Sequence, residues 1–186
     1  MSNAFALLGL PRIAALDAEA LQQAWLAASR SAHPDQPGGD ASHAAEINNA
    51  YETLQAPEKR IKHLLDLHAV PWRAIPIDEA MMSLFGQLGP ALQNVTTFLK
   101  RKQTATSALA KALLAPDEMR LREQLEALGT TLDTERTTLL ADLPAFDSRL
   151  SAGDTTALAD LQILQARLAY FGKWQAQVRE ALLSLM

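Results

Sequence analysis

Near neutral pH this chain has four histidines and no cysteine with which to do chemistry, and one of the four stands in a distinctive setting. His33 is followed by Pro34 and Asp35, and then, after Gln36, by Pro37-Gly38-Gly39-Asp40. Proline fixes its own φ and moves the residue before it out of the α conformation, so His33 falls at a helix end, beside the negative pole of the macrodipole. Asp35 is then left projecting as a carboxylate with few local donors, a group suited to pairing with an external arginine. The same three residues also suit an ordinary helix stop and turn, so the elements around them have to decide.

Other chemistries lack their residues. His63 and His68 are five apart and fall on different helix faces, and His43 has no acidic or imidazole neighbour at ligand spacing, so no metal site is expected. Without cysteine there are no disulfides, thiolate zinc sites, cysteine-held clusters or thiol nucleophiles. Nucleophile–base spacing, a glycine-rich phosphate loop and a carboxylate–histidine helix motif are missing as well. The expectation is a protein that is not an enzyme and carries no cofactor.

The elements that hold the tripeptide are helical. Asp17 is placed to cap a helix over Ala18–Ala32, with Leu21, Trp25 and Ala28 on one face. Residues 33–41 form a loop, Ser42 caps the next helix, and Ile47, Tyr51 and Leu54 share its apolar face until Ala56-Pro57. These two helices are expected to pack as an antiparallel hairpin, closed on one side by a short first helix carrying Phe5, Leu7 and Leu8. A further helix over 58–68 leads to Val70-Pro71-Trp72-Arg73-Ala74-Ile75-Pro76, whose two prolines read as a joint between domains. Beyond it three helical stretches are expected: 78–114, broken or kinked early by Gly86, Gly89 and Pro90; a second from Asp117 until Pro144; and a third after Gly153-Asp154. The third aligns Leu161, Leu164, Leu168, Phe171, Val178, Leu182 and Leu185.

The fold class is therefore all-α: a helical hairpin with two short helices, followed by a C-terminal three-helix bundle. The division is residues 1–72, a linker at 73–77, and 78–186. Composition agrees, with 48% hydrophobic residues but only 5% aromatic in 186 residues. Lys and Arg number 17 against 21 Asp and Glu, so the net charge of −4 leaves no basic excess for binding nucleic acid. No apolar run is long enough to span a membrane, and the first dozen residues lack the pattern of an export signal, so no membrane association and a cytoplasmic location are expected.

Downstream of the tripeptide stand Ala45-Glu46-Ile47-Asn48-Asn49-Ala50-Tyr51-Glu52-Thr53-Leu54 and Pro57-Glu58-Lys59-Arg60. Together with His33-Pro34-Asp35 at the hairpin turn, this resembles the J-domain of the DnaJ family over roughly the first seventy residues. Three further segments extend the likeness: Phe5-Ala6-Leu7-Leu8-Gly9-Leu10-Pro11, Arg60 with Leu64-Leu65-Asp66-Leu67-His68, and Arg167-Leu168-Ala169-Tyr170-Phe171-Gly172-Lys173-Trp174. With no Gly/Phe-rich linker or Cys-rich module after the J-like region, the chain is similar to the Hsc20/HscB family of iron–sulfur co-chaperones.

That resemblance implies an Hsp70-type chaperone as partner, its ATPase stimulated through His33, Pro34 and Asp35, with Arg30, Asn48, Lys59 and Arg60 as further contacts. It implies an iron–sulfur cluster scaffold protein as client, docking on Met81, Met82, Phe85 and Tyr170. In three respects the chain departs from the pattern. The helix before the tripeptide offers Arg30 as its one basic residue where J-domains carry a basic stripe, and Gln36 stands where a lysine is common. Weak charge complementarity lowers encounter rate and affinity more than activation itself. The acidic members of the client strip are missing too. These departures leave a second reading open, an adaptor of J-like fold that no longer activates Hsp70.

Overall fold

A computed structural model describes residues 3–32 and 40–186. His33-Pro34-Asp35 lies outside the described residues. The described residues form eight helices and no strand: α1 (Ala4–Leu7), α2 (Ala18–Ala32), α3 (Ala41–Gln55), α4 (Pro57–Leu67), α5 (Glu79–Thr104), α6 (Ala108–Ala141), α7 (Leu143–Ser151) and α8 (Thr156–Ser184). They divide into two compact units, one of Met1–Ala74 with Leu139–Leu168, the other of Ile75–Thr138 with Ala169–Met186. Sequence reading cut the chain once, at the prolines, whereas the first unit also takes in residues 139–168.

In the first unit α3 packs against α1, α2 and α4 over a core of Phe5, Leu21, Ile47, Leu54, Ile61 and Leu64. Asp17 caps α2 through Ala20 N–H at 2.7 Å, as its spacing predicts. The cap of α3 is Asp40, which accepts from Ser42 N–H at 3.1 Å, and so stands two residues before the expected Ser42. His43 also differs from expectation, its Nδ1 lying 3.7 Å from a Glu46 carboxylate oxygen one turn on.

Three helices end in the same left-handed cap. After α1, Gly9 at φ 65° lets Leu10 N–H reach Phe5 O at 2.8 Å, and after α7, Gly153 at φ 82° lets Asp154 N–H reach Arg149 O at 3.0 Å. The corresponding residue after α4 is Ala69 at φ 53°, where a side chain is carried at a steric cost of about 1 kcal/mol.

Residues far along the chain complete this unit. On α7, Asp147 accepts Ala14 N–H at 2.7 Å and Ala15 N–H at 2.8 Å. On α8, Gln162 donates to Pro71 O at 3.0 Å and Gln165 to Glu58 O at 3.2 Å. Arg149 closes the turn between α7 and α8 with Asp154 and Asp160 at 2.8 and 2.9 Å. Asp154 accepts the Thr156 hydroxyl and this guanidinium, which lower its pKa to about 2.

The second unit is built from α5, α6 as far as Thr138, and α8 from Ala169. Its core contains Met81, Leu88, Val95, Phe98, Leu125, Leu132, Phe171, Trp174 and Val178. Two expected boundaries are corrected. The first stretch stops at Thr104, well before Leu114, because Ser107 caps a new helix through Ala110 N–H at 3.1 Å. Residues 108–115 are strong helix formers, and α6 runs on through Pro116 where a start at Asp117 was expected.

The third correction concerns Pro144, which does not merely end a helix. It occupies the opening turn of α7, where its missing N–H costs nothing, and so creates an element the sequence reading lacked. Nor do Gly86, Gly89 and Pro90 break α5, which is helical throughout. The stripe expected on α8 is observed: Leu161, Leu164, Leu168, Phe171, Val178 and Leu185 are all buried, with Leu182 half-buried.

Candidate functional site

Around the tripeptide the described geometry begins at the last turn of α2. Arg30 is exposed there, at the helix end where a cation is favoured. One turn earlier Trp25 stacks on Tyr51 of α3 at 4.8 Å between ring centroids and donates its Nε1–H to Asn48 Oδ1 at 2.9 Å. That bond fixes the carboxamide of Asn48, which is exposed, and settles which of its ends is the donor. Sequence reading placed Trp25 on the apolar face of α2 but not in this role.

Lys59 is exposed and lines a groove of about 350 Å³ with Glu46, Asn49, Lys62, His63 and Asp66. Arg60, its neighbour, is 6% exposed, with Nε–H donated to Ala14 O at 2.9 Å and Nη1–H to Leu54 O at 2.7 Å. Burial lowers its pKa, and Asp147 and Glu58 act against that. A guanidinium committed to two backbone carbonyls inside its own unit has no surface to offer a partner, so Arg60 leaves the contact set. Arg30, Asn48 and Lys59 remain, while His33, Pro34 and Asp35 lie outside the described residues.

His63 closes the inner end of the same groove. Its Nε2 accepts Ala4 N–H at 3.0 Å, its ring lies 5.7 Å from that of Phe5, and it is 8% exposed. Burial lowers its pKa, opposed by Asp66 and reinforced by Lys62. An accepting Nε2 carries no proton, so the fold holds the neutral ring. The unfolded chain takes up the proton first, so this contribution to stability is full above about pH 6.5 and is lost as pH falls through the depressed folded value. Between about pH 7.5 and about pH 5, the urea midpoint of the wild type is expected to drop further than that of His63→Phe. Equal drops in the two proteins would place the acid sensitivity in other groups.

In the second unit, Met82 and Phe85 on α5 are each 53% exposed and Tyr170 on α8 is 38% exposed. Phe85 and Tyr170 share a support in Trp174, 3% exposed, whose ring centroid lies 6.2 Å from that of Phe85 and 5.8 Å from that of Tyr170. Phe171 meets the same indole edge-on at 5.7 Å. Met81, by contrast, is 2% exposed and belongs to the core, so it too leaves the contact set. Consecutive helix residues lie about 100° apart, and only one of two adjacent methionines can face outward. Gly86 and Gly89 share the outward face with Met82 and Phe85, and open space lies beyond both. The result is an apolar strip with a bare backbone along part of its length, held in place by a buried indole. Trp174 was missed as a site residue, although its i, i+4 spacing from Tyr170 is visible in the sequence.

Among the described residues no group of three His, Asp or Glu could hold a metal ion, and no helix is long and apolar enough to cross a membrane. No family model matches the chain. Individual proteins do. It is 40% identical over 74 residues to the HscB co-chaperone homolog of Chromobacterium violaceum, a match covering 36% of this chain and 42% of that one. It is 34% identical over 140 residues to the homolog of Cupriavidus taiwanensis, covering 69% of this chain and 76% of the relative. Among solved structures, chaperone HscB from Vibrio cholerae superposes with a TM-score of 0.63 at 25% identity, each chain covered completely. The human co-chaperone HscB shares the fold, with a TM-score of 0.58 at 17% identity over 97% of this chain and 82% of that one. An all-α chain that keeps a J-like helix pair, an exposed apolar strip and this extent of identity belongs to the HscB family of co-chaperones.

Proposed function

We propose that the protein stimulates the ATPase of an Hsp70-type chaperone through His33-Pro34-Asp35 and delivers to it an iron–sulfur cluster scaffold protein. In this reading residues 1–72 act as the J-domain, 73–77 as the linker and 78–186 as the client-binding bundle. The observation that carries it is positional: the tripeptide directly follows Ala32, the last residue of α2, and the α3 that succeeds it packs against α2. That is the setting in which a J-domain presents this motif. Arg30, Asn48 and Lys59 are exposed and available as flanking contacts.

For the client, Met82, Phe85 and Tyr170 supply polarizable and aromatic groups, the residue types enriched in protein interfaces. Gly86 and Gly89 leave room for a partner backbone to approach the helix. One chain that holds both proteins raises the effective concentration of each near the other, and so gains efficiency with no chemistry of its own.

The test is an Hsp70 ATPase assay with the scaffold present, run for the wild type and Phe85→Ser. Phe85 is half exposed, so the substitution is expected to leave circular dichroism unchanged and to weaken scaffold capture by about tenfold or more. Stimulation of the ATPase without scaffold should be the same for both proteins. Equal scaffold capture by both would remove this strip from the client site. Capture of both partners without any stimulation by wild type would favour the adaptor of J-like fold.

A further inference from the structure

Away from the apolar strip, the second unit has a cavity of about 580 Å³ at the end of α5, the start of α6 and the end of α8. Its size falls within the range of small-molecule sites. Leu99 and Leu114 give it apolar walls, Leu114 being 9% exposed, and Ser184 contributes a hydroxyl. Lys102, Lys111 and Glu118 supply its charges.

These charges do not balance. Glu118 is already held by Lys102 at 2.9 Å and by Arg122 at 3.5 Å. The Lys111 ammonium makes no ion pair or hydrogen bond among the described residues, so two lysines stand at the cavity with one carboxylate, which Lys102 already pairs. The excess extends along the chain. Residues 100–122 carry six Lys or Arg against two Asp or Glu, in a protein whose net charge is −4.

From this combination we infer that the cavity binds an amphiphilic anion: a single alkyl chain against Leu99 and Leu114, its carboxylate head paired with Lys111. A neutral amphiphile leaves the lysine unpaired, and a hydrophilic anion leaves the leucines wet, so one ligand must carry both features. Separation of apolar and cationic groups on this scale also suits a bilayer surface, but a half-open recess of about 580 Å³ between helix ends fits a single chain better than a flat array of headgroups. The inference is independent of the co-chaperone reading and involves none of its residues.

The test uses the full-length protein and dodecanoate below its micelle concentration, followed by isothermal titration calorimetry. Saturable binding near one to one is expected. Lys111→Glu should weaken it by about tenfold or more, because the substitution exchanges an attraction for a repulsion at the same position. Lys111 is exposed, so circular dichroism should be unchanged. Dodecyl maltoside should bind much more weakly than dodecanoate. Absence of saturable dodecanoate binding, equal affinity in Lys111→Glu, or equal affinity for the neutral amphiphile would each overturn the proposal. So would sedimentation with vesicles of anionic phosphatidylglycerol in place of binding to the monomeric amphiphile.

Discussion

Asp35→Asn is expected to abolish ATPase stimulation of the cognate Hsp70 while leaving the helical content of the protein intact. The substitution keeps size and shape and removes one negative charge. If that charge pairs with an arginine on the partner, the loss falls on a charge-assisted bond whose remaining half is left unpaired in a desolvated contact, a cost of about 2 kcal/mol or more. That corresponds to about thirty-fold in the occupancy or rate of the activated state. A helix cap or turn residue responds differently. Were Asp35 only part of the stop after α2, Asn would replace it at almost no cost, since both residues favour turns. Steady-state ATPase with a saturating excess of co-chaperone separates the two roles, and undiminished stimulation by the variant would remove the tripeptide from the mechanism.

The same assay gives meaning to the sparse positive charge on α2. Arg30 is the one basic residue of that helix, and Gln36 follows the tripeptide. Long-range attraction to an acidic partner then contributes little, and affinity has to come from short-range contacts. Loss on Asp35→Asn is thus expected to persist at saturating protein, as a failure of activation and not as a shift in the concentration required.

How far these features are legible in the sequence depends on the range of the interaction that creates them. Local ones can be read. Asp17 caps α2 where its side chain predicts, and the stripe on α8 follows from helical period alone. Proline is ambiguous because it both stops and starts helices. Pro144 opens α7 and Pro116 is carried inside α6, and the deciding factor at Pro116 is a cap nine residues earlier at Ser107. Burial is less legible still. Met81 and Met82 are identical in type, yet one is 2% and the other 53% exposed, according to which side of α5 meets the core. Lys59 and Arg60 look like one basic pair at a helix start, and only the position of Ala14, brought in from elsewhere in the chain, distinguishes them. No periodicity announces Asp147, whose partners Ala14 and Ala15 are more than a hundred residues away.

That last contact carries the largest expected effect on stability. The peptide between Ala14 and Ala15 gives its carbonyl to Arg60 at 2.9 Å and its N–H to Asp147 at 2.8 Å, so a cation and an anion grip one amide from opposite ends. Ala14 is fully buried, and water cannot take over the bond that its carbonyl accepts from Arg60. Arg60→Met keeps most of the side-chain volume and strands the carbonyls of Ala14 and Leu54, together with a carboxylate that loses its nearby countercharge. The expected cost is about 3 kcal/mol, or about 6 to 12 °C in Tm for a chain of this length. Asp147→Asn should cost less on its own, because the amide oxygen can still accept one N–H. In the double variant the two losses should not add, falling short of their sum by about 1 kcal/mol, since both act on the same peptide. Lys62→Ala serves as the control. Its ion pair with Asp66, at 2.9 Å, joins side chains that are 58% and 33% exposed, and its removal should change stability by no more than about 0.5 kcal/mol. If Arg60→Met were no more harmful than Lys62→Ala in urea or thermal unfolding, the buried guanidinium would not be what fastens the first unit's N-terminal segment to α7.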